Sequence, residues 1–485
     1  MPETPTALRQ LRDLPGPSTL PLLGNIHQIT PDRVHRIVEQ WCMQYGDFFR
    51  MSLGPTTLLV VADHVAIGAI LRDRPNGYRR PAVTEKVSRE MGGIPGVFLA
   101  EGDDWRNQRR MVMTALSPTA IKAYFPALVK VALRLQRRWD EAARTQTPID
   151  LSDDLKRYTV DIIAGLAFGT DVNTIASGED RIQQHLDVIL PMVARRSLAL
   201  FPYWRYLRLP SDRRLDRSVV ALKTSIDDLI SGAHARLDTE PARRTHPGNL
   251  LEAMLVAAAE PDSGVSDQNV SGNVTTMLLA GEDTTANTIA WMLYLLHAHP
   301  ASLQQAQAEV RRVAPDPAGY TIEQMDALDY VDACAQEAMR LKPVAPYIPV
   351  QALHDTVIGD IAIPANTPIW CVLRHHSVAE EFFAAASSFN PQRWRETDVG
   401  TAADKRIAMP FGAGVRTCPG RYLALLEIKM AMALILGQFD LVSVHTDDGH
   451  APRELMAFVM SPVGLKMLLR RRDLDADSQP AEADA

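Results

Sequence analysis

One cysteine restricts this chain more than any other residue. Cys418 lies in the run Phe411-Gly412-Ala413-Gly414-Val415-Arg416-Thr417-Cys418-Pro419-Gly420. The run sets a single thiol in a glycine-rich loop, two residues after an arginine and just before a stretch with helical character. That stretch, Pro419 to Gln438, is apolar on nearly all sides, through Leu423, Leu425, Leu426, Ile428, Met430, Met432, Leu434, Ile435 and Leu436. A helix of that kind is buried. Its dipole and its first free N–H groups point back at the sulfur. Arginine and helix start both favour the thiolate, and a thiolate is a metal ligand. A free cysteine is often only a small hydrophobe. That bland role requires neither the arginine nor the glycines.

The rest of the chain narrows the class. Its 485 residues could by length form three domains, yet no linker divides them. The net charge is −7 and no basic tract exists, so nucleic acid is not expected as a partner. The four cysteines, Cys42, Cys334, Cys371 and Cys418, show neither zinc-finger nor redox-motif spacing. Scattered thiols of this kind suit a reducing, cytoplasmic setting. Met1 to Leu20 lacks a signal peptide's basic start and apolar core. No run of 18 apolar residues predicts a membrane span.

Helical spacing dominates between about 104 and 345. It predicts helices at Ala120–Ala142, Asp150–Phe168, Arg217–Leu237, Val270–His297 and Ile322–Leu341. Strands are predicted at Phe48–Leu53, Thr57–Val61 and Asp355–Gly359. Thr239–Gly248 and Thr397–Asp404 read as breaks. The expected organisation is a flexible N-terminus over 1–13, a single domain over 14–470 and a disordered acidic tail over 471–485. The fold class is mainly α with small β sheets, one near the N-terminus and one around 350–370.

The pattern Phe411-x-x-Gly414-x-Arg416-x-Cys418-x-Gly420 resembles the haem-thiolate loop of the cytochrome P-450 family. Five fixed positions in ten residues arise by chance on the order of 10⁻⁴ in such a chain. The resemblance implies haem b held between a long distal helix and a proximal Cys-loop helix. It makes Cys418 the iron ligand and places Phe411, Gly412, Arg416, Gly420 and Ala280 against the haem. Trp105-x-x-x-Arg109 resembles the family's Trp-x-x-x-Arg, whose arginine meets a haem propionate, as Arg416 does. One departure stands out. The arginine that many bacterial relatives carry after the Glu-x-x-Arg helix is absent from Ile348-Pro349-Val350-Gln351, leaving Gln351 or His354 as substitutes. Leu14-Pro-Gly-Pro17 through Asn25 resembles the hinge that follows the anchor of microsomal members. With the anchor missing, the resemblance implies a soluble, bacterial relative.

Glu337-x-x-Arg340 places both side chains on one helix face, and alone such a pair is commonplace. Together with Phe389-Asn-Pro391-Gln-Arg393-Trp394 it resembles the family's buried triad. Glu337, Arg340 and Arg393 are therefore expected to lock the core. Ala280-Gly281-Glu282-Asp283-Thr284-Thr285 breaks helix rules, since glycine and two threonines suit a helix interior poorly. A threonine can bond back to the carbonyl four residues earlier and open the helix locally. Dioxygen cleavage consumes two protons, and an acid feeding a hydroxyl–water chain can deliver them. Asp283 and Thr284 match the acid and alcohol of the family's distal signature and are the expected catalytic pair. The alternative is a solvated acid beside a helix-bonded threonine.

Asn273, Met277, Ala280, Gly281 and Thr284 share one stripe of the helix. The resemblance adds Val97, Phe98, Val344, Ala345, Phe458 and Val459 to the pocket. This apolar set predicts a hydrophobic substrate. The expected reaction is monooxygenation with dioxygen as co-substrate. NAD(P)H enters only indirectly, through a ferredoxin or flavodoxin and its reductase. Arg106, Arg110, Arg421 and Lys429 are expected to dock that acidic partner. A monomer is expected. A haem sensor without turnover, or a peroxide-using or isomerising enzyme on the same fold, stays open at this point. A sensor has no use for Asp283–Thr284, and a peroxide user has no use for an electron donor.

Overall fold

The longest helix among the described residues, Asp267–Ala298, crosses the middle of the molecule. The computed structural model describes residues 8–177, 181–197, 199, 201–395, 404 and 406–472. Ser266 starts this central helix by accepting the Asn269 N–H, while the Asn269 side chain accepts the N–H of Ser266. A reciprocal cap of this kind is worth about 1 kcal/mol. From Thr285 to Met292 every residue is buried, so the helix is walled all round there. Helix Leu151–Phe168, capped by Asp150, packs along it. The proximal helix, Arg421–Gln438, packs against the central helix, receives the Tyr158 hydroxyl at its Glu427 carbonyl, and is buried from Met430 to Gln438.

The two predicted β regions are one sheet. Its strand order is Phe48–Leu53, Thr56–Val61, Pro368–Val372, Tyr347–Ala352 and Tyr78–Arg79. Thr56–Val61 and Pro368–Val372 run parallel, with Leu59 opposite Ile369. The other pairs are antiparallel. A second small sheet contains Thr356–Ile358, inside the predicted Asp355–Gly359 strand.

Three expectations about local order need restating. Arg9–Gln10 pairs in parallel with Ile361–Ala362, and Arg9 is bound to Asp360, so the segment expected to be loose is tied down from residue 8 onward. Residues 1–7, most of the 397–404 loop and residues 473–485 lie outside the described residues. The single helix predicted over Ile322–Leu341 is two, Ile322–Asp326 and Asp329–Leu341. Glu309 accepts the N–H groups of Tyr330 and Val331 at 2.8–2.9 Å, which caps the second helix from a distant element. No single helix among the described residues is long and apolar enough to cross a membrane.

Candidate functional site

Three of the four cysteines are buried; Cys418 is exposed. Its loop is shaped by glycine. Gly414 has φ +72°, and a Cβ there would lie 2.7 Å from the Leu71 carbonyl oxygen. The Cys418 N–H donates to the Phe411 carbonyl at 3.0 Å. Burial pushes the thiol above its ordinary range, opposed by the Gly420 N–H and the charges of Arg109 and Arg421. Cys418 is exposed, so its loop offers a floor open to a bound group. The Gly420 N–H and the two arginines favour the thiolate, as the sequence suggested, and a bound metal cation would favour it further.

Above this floor gathers more positive charge than the protein neutralises. Arg416 stacks 4.6 Å over Trp105 and donates to the Ala100 carbonyl and to Glu101, each at 2.7 Å. Arg109 donates to the Thr417 carbonyl at 2.8 Å. Arg80 and Arg74 join them, and neither is marked by any motif. Arg80 lies 3.4 Å over the Phe98 ring, and its N–H donates to Glu101. Arg74 is 5% exposed, with Nε and one terminal nitrogen unpartnered; Arg416 Nε is likewise buried and unpartnered. Burial first, then the neighbouring arginines, pushes Arg416 down to about 10 despite Glu101. Arg80 is pushed well down for the same reasons. Of these guanidinium groups Glu101 accepts from Arg416 alone; it takes the backbone N–H of Arg80, and its charge also acts on Arg74 and Arg80. Free donors and surplus charge beside an exposed cysteine fit a haem, which carries two carboxylates. Gln351 is not the substitute: its amide is spent on the Ala82 N–H and the Asn366 carbonyl. His354 is exposed and makes no hydrogen bond to this cluster among the described residues.

On the central helix, Ala280 is exposed among mostly half-buried neighbours, with Leu278 and Glu282 buried. Met277 and Thr284, on the same stripe, are half-exposed. Thr284 donates to the Ala280 carbonyl at 2.7 Å, as its residue type predicts. The helix continues unbroken through this point. Gly281 does not open it. A Cβ there would lie 2.6 Å from Ile163 Cδ1, so the glycine lets helix Leu151–Phe168 approach. Asp283 is held at 2.8 Å by Lys156, which also stands 3.5 Å from Asp187. No hydrogen bond joins Asp283 to Thr284; adjacent helix positions face different ways. The sequence also passed over Glu427, a lone carboxyl in the apolar proximal helix. It is 1% exposed, with Oε1 unpartnered. Burial, only partly offset by the Thr285 hydroxyl, pushes it up to about 8.

The expected triad is formed. Arg340 grips both Glu337 oxygens at 2.7 and 2.8 Å, and Arg393 Nε donates to Glu337 at 3.1 Å. Trp394 Nε1 and the Asn390 N–H complete the carboxylate's partners. Burial alone would raise Glu337; Arg340 and these donors outweigh it and hold the carboxyl below the usual range.

The pocket residues come together in part. Phe98 and Phe458 lie 5.8 Å apart, centroid to centroid. The Met460 N–H donates to the Val344 carbonyl, which joins the late hairpin carrying Phe458 and Val459 to the Val344–Ala345 segment. Asn273 is fully buried and bonded within the protein, so it is no pocket wall. Of the four basic residues expected to dock a partner, Arg106 pairs with Asp103, and Arg110 donates to Asn107 and the Ser263 carbonyl. Arg421 and Lys429 instead line a cavity of about 700 Å³ beside the Cys loop, with Arg72, Arg395 and Arg406.

A helical fold with an exposed cysteine on a glycine-shaped loop, an arginine cluster beside that loop and a buried Glu-Arg-Arg triad fits a haem-thiolate protein. The cytochrome P-450 family model matches residues 14–469. The chain belongs to that family, whose members use haem b and dioxygen and act as monooxygenases. It is similar to cytochrome P-450 27C1 of Danio rerio, 27% identical over 92% of this chain and 84% of that protein. It is also similar to cyclooctat-9-en-7-ol 5-monooxygenase of Streptomyces melanosporofaciens, 27% identical over 88% and 89% of the two chains. The crystal structure of the cytochrome P-450DA haem domain superposes with a TM-score of 0.81, at 26% identity over 96% of this chain and 99% of that one.

Proposed function

We propose that this enzyme inserts one oxygen atom of dioxygen into a hydrophobic organic substrate, with electrons from a separate ferredoxin or flavodoxin. The observation that carries this reading is the exposed Cys418 beneath an unneutralised arginine cluster. Cys418 would hold the iron through its sulfur. Arg416, Arg80 and Arg74, with Trp105 as a stacking base, hold the two carboxylates. When bound, the haem supplies dioxygen binding and cleavage, with electron density donated by the thiolate.

The chain's own residues then manage substrate and protons. Met277, Ala280, Phe98, Val344 and Phe458 exclude water and orient an apolar substrate beside Thr284. Thr284 Oγ1 keeps lone pairs free toward the cavity while its proton rests on the Ala280 carbonyl. A small rotation about the Cα–Cβ bond releases that proton for transfer, and a water can replace it. Asp283, a carboxylate paired with Lys156, would feed this site by first taking a proton from water and then passing it on through water or by turning away from Lys156. The basic groove around Arg421 and Lys429 borders the Cys loop, which suits an acidic electron donor arriving on the cysteine side.

The test is spectral. The protein is reduced and exposed to carbon monoxide, and hydrophobic compounds are then screened for displacement of iron-bound water. A thiolate-type band together with substrate-induced shifts is expected. A colourless protein, or the band of an imidazole-ligated iron, refutes the reading.

A further inference from the structure

Phe98 stands in a segment, Ile94–Phe98, that is fixed from outside the pocket. Gly96 rests on the central helix: a Cβ there would lie 2.2 Å from Thr276 Oγ1 and 2.4 Å from the Gly272 carbonyl oxygen. Gly272 meets the segment in turn, since a Cβ on it would lie 2.8 Å from the Ile94 carbonyl oxygen. Two glycines thus set backbone directly on backbone.

A pair of buried amides holds the segment at both ends of this contact. Asn273, 0% exposed, accepts the Val97 N–H at 2.8 Å. Its Nδ2 donates to Gln108 Oε1 and to the Asn269 carbonyl, each at 2.7 Å. Gln108, also 0% exposed, donates to the Pro95 carbonyl at 3.3 Å and to Asp104 at 3.1 Å. The segment's carbonyl at 95 and amide at 97 are therefore gripped by side chains from two different helices. Arg80 also donates to the Phe98 carbonyl while covering one face of its ring. Buried networks so fully satisfied specify a single arrangement. None of these amide groups reaches the cavity.

We propose that Asn273 and Gln108 are positioning residues for substrate. They latch Ile94–Phe98 onto the central helix, and that latch sets how far Phe98 projects into the pocket toward Phe458. The proposal rests on the reading of Phe98 as a pocket wall in a haem enzyme. Affinity for large ligands then depends on two residues that never touch them.

Two probes separate this from a general loss of structure. Imidazole reaches the iron without filling the pocket; 4-phenylimidazole binds the same iron and needs the wall. Both are titrated spectrally into the haem-loaded parent, Asn273→Ala and Gly96→Ala. Gly96→Ala removes no hydrogen-bonding group, yet pushes the segment off the helix. In both variants 4-phenylimidazole is expected to weaken at least fivefold relative to imidazole, with the carbon monoxide band unchanged. A ratio within twofold of the parent's, or moved the other way, overturns the latch. If one variant loses haem, the other decides; if neither retains the band, the residues are structural and the positioning role is wrong. Absence of the band in the parent itself would instead sink the haem reading.

Discussion

Replacing Arg340 tests whether the buried triad is a lock or an incidental pair. The side chain makes five hydrogen bonds, two to Glu337 and one each to the carbonyls of Ser377, Ala386 and Ser388. Arg340→Ala breaks a buried ion pair, at a cost of about 3–5 kcal/mol. Each carbonyl left without a donor adds about 1–3 kcal/mol, less where water enters the space. The terms share partners and do not simply add, so about 5–8 kcal/mol is expected, a large share of the ~5–15 kcal/mol that holds a typical protein together. Arg393→Ala should cost far less, about 1–3 kcal/mol. It removes one bond to Glu337 and its contacts with the Ala384 and Ala385 carbonyls, and it leaves the Arg340 pair intact. Arg340→Lys keeps the charge but loses the fork, and should fall between the two. Urea unfolding followed by far-ultraviolet circular dichroism, with haem absorbance read in parallel, gives the order of midpoints. Arg340→Ala should also fail to hold haem. An Arg393→Ala variant as damaged as Arg340→Ala, or an Arg340→Ala variant that folds and binds haem normally, would refute the reasoning.

Thr284→Ala should keep consuming oxygen but release it as hydrogen peroxide; unchanged coupling of oxygen uptake to product would rule out the hydroxyl's part in proton delivery. Arg74→Leu should speed haem loss to apomyoglobin several-fold while leaving the parent's fold, by circular dichroism, unchanged; an unaltered off-rate would show that its free guanidinium edge holds no carboxylate. Glu427→Gln should flatten the pH dependence of stability. A carboxyl whose folded pKa of about 8 exceeds its ordinary 4.5 stabilises the fold in full below about pH 4.5 and loses that contribution as pH rises through 8. The parent's melting temperature should therefore fall between pH 5 and 8 more steeply than the variant's, and parallel slopes would contradict the assignment.

What could be read in the sequence is what the chain writes locally. Glu337 and Arg340 are three residues apart, and their pairing follows from helix geometry. The Cys418 loop carries its shape in ten consecutive residues. The arginine cluster is different. Glu101 and Arg416 are separated by 315 positions, and Arg74 enters only because the sheet folds Tyr78–Arg79 onto Tyr347–Ala352. No spacing rule connects such residues. Gly281 shows the opposite error. Its break with helix propensity was visible, but its cause is Ile163 on another helix, and propensity cannot tell an opened helix from a crowded one. Glu427 had a signal that went unused: a single acid in a helix otherwise apolar all round is either a mistake of evolution or a buried neutral group.

The thiolate and the proton path share one physical problem, and the fold answers both in the same way. Burial works against a charged sulfur at Cys418, and the local positive groups do not overcome it. Burial also works against the charge on Lys156, but there Asp283 and Asp187 prevail and hold its pKa above the ordinary value. A buried charge of either sign is thus favoured by a counter-ion beside it. For Cys418 that counter-ion is a metal from outside the chain. For Asp283 it is a lysine on a neighbouring helix, so the acid is stored as half of an ion pair, turned from the hydroxyl it would serve. Paired with Lys156, the Asp283 carboxylate carries no proton, so a relay through it would first take one up from water and then pass it on toward Thr284.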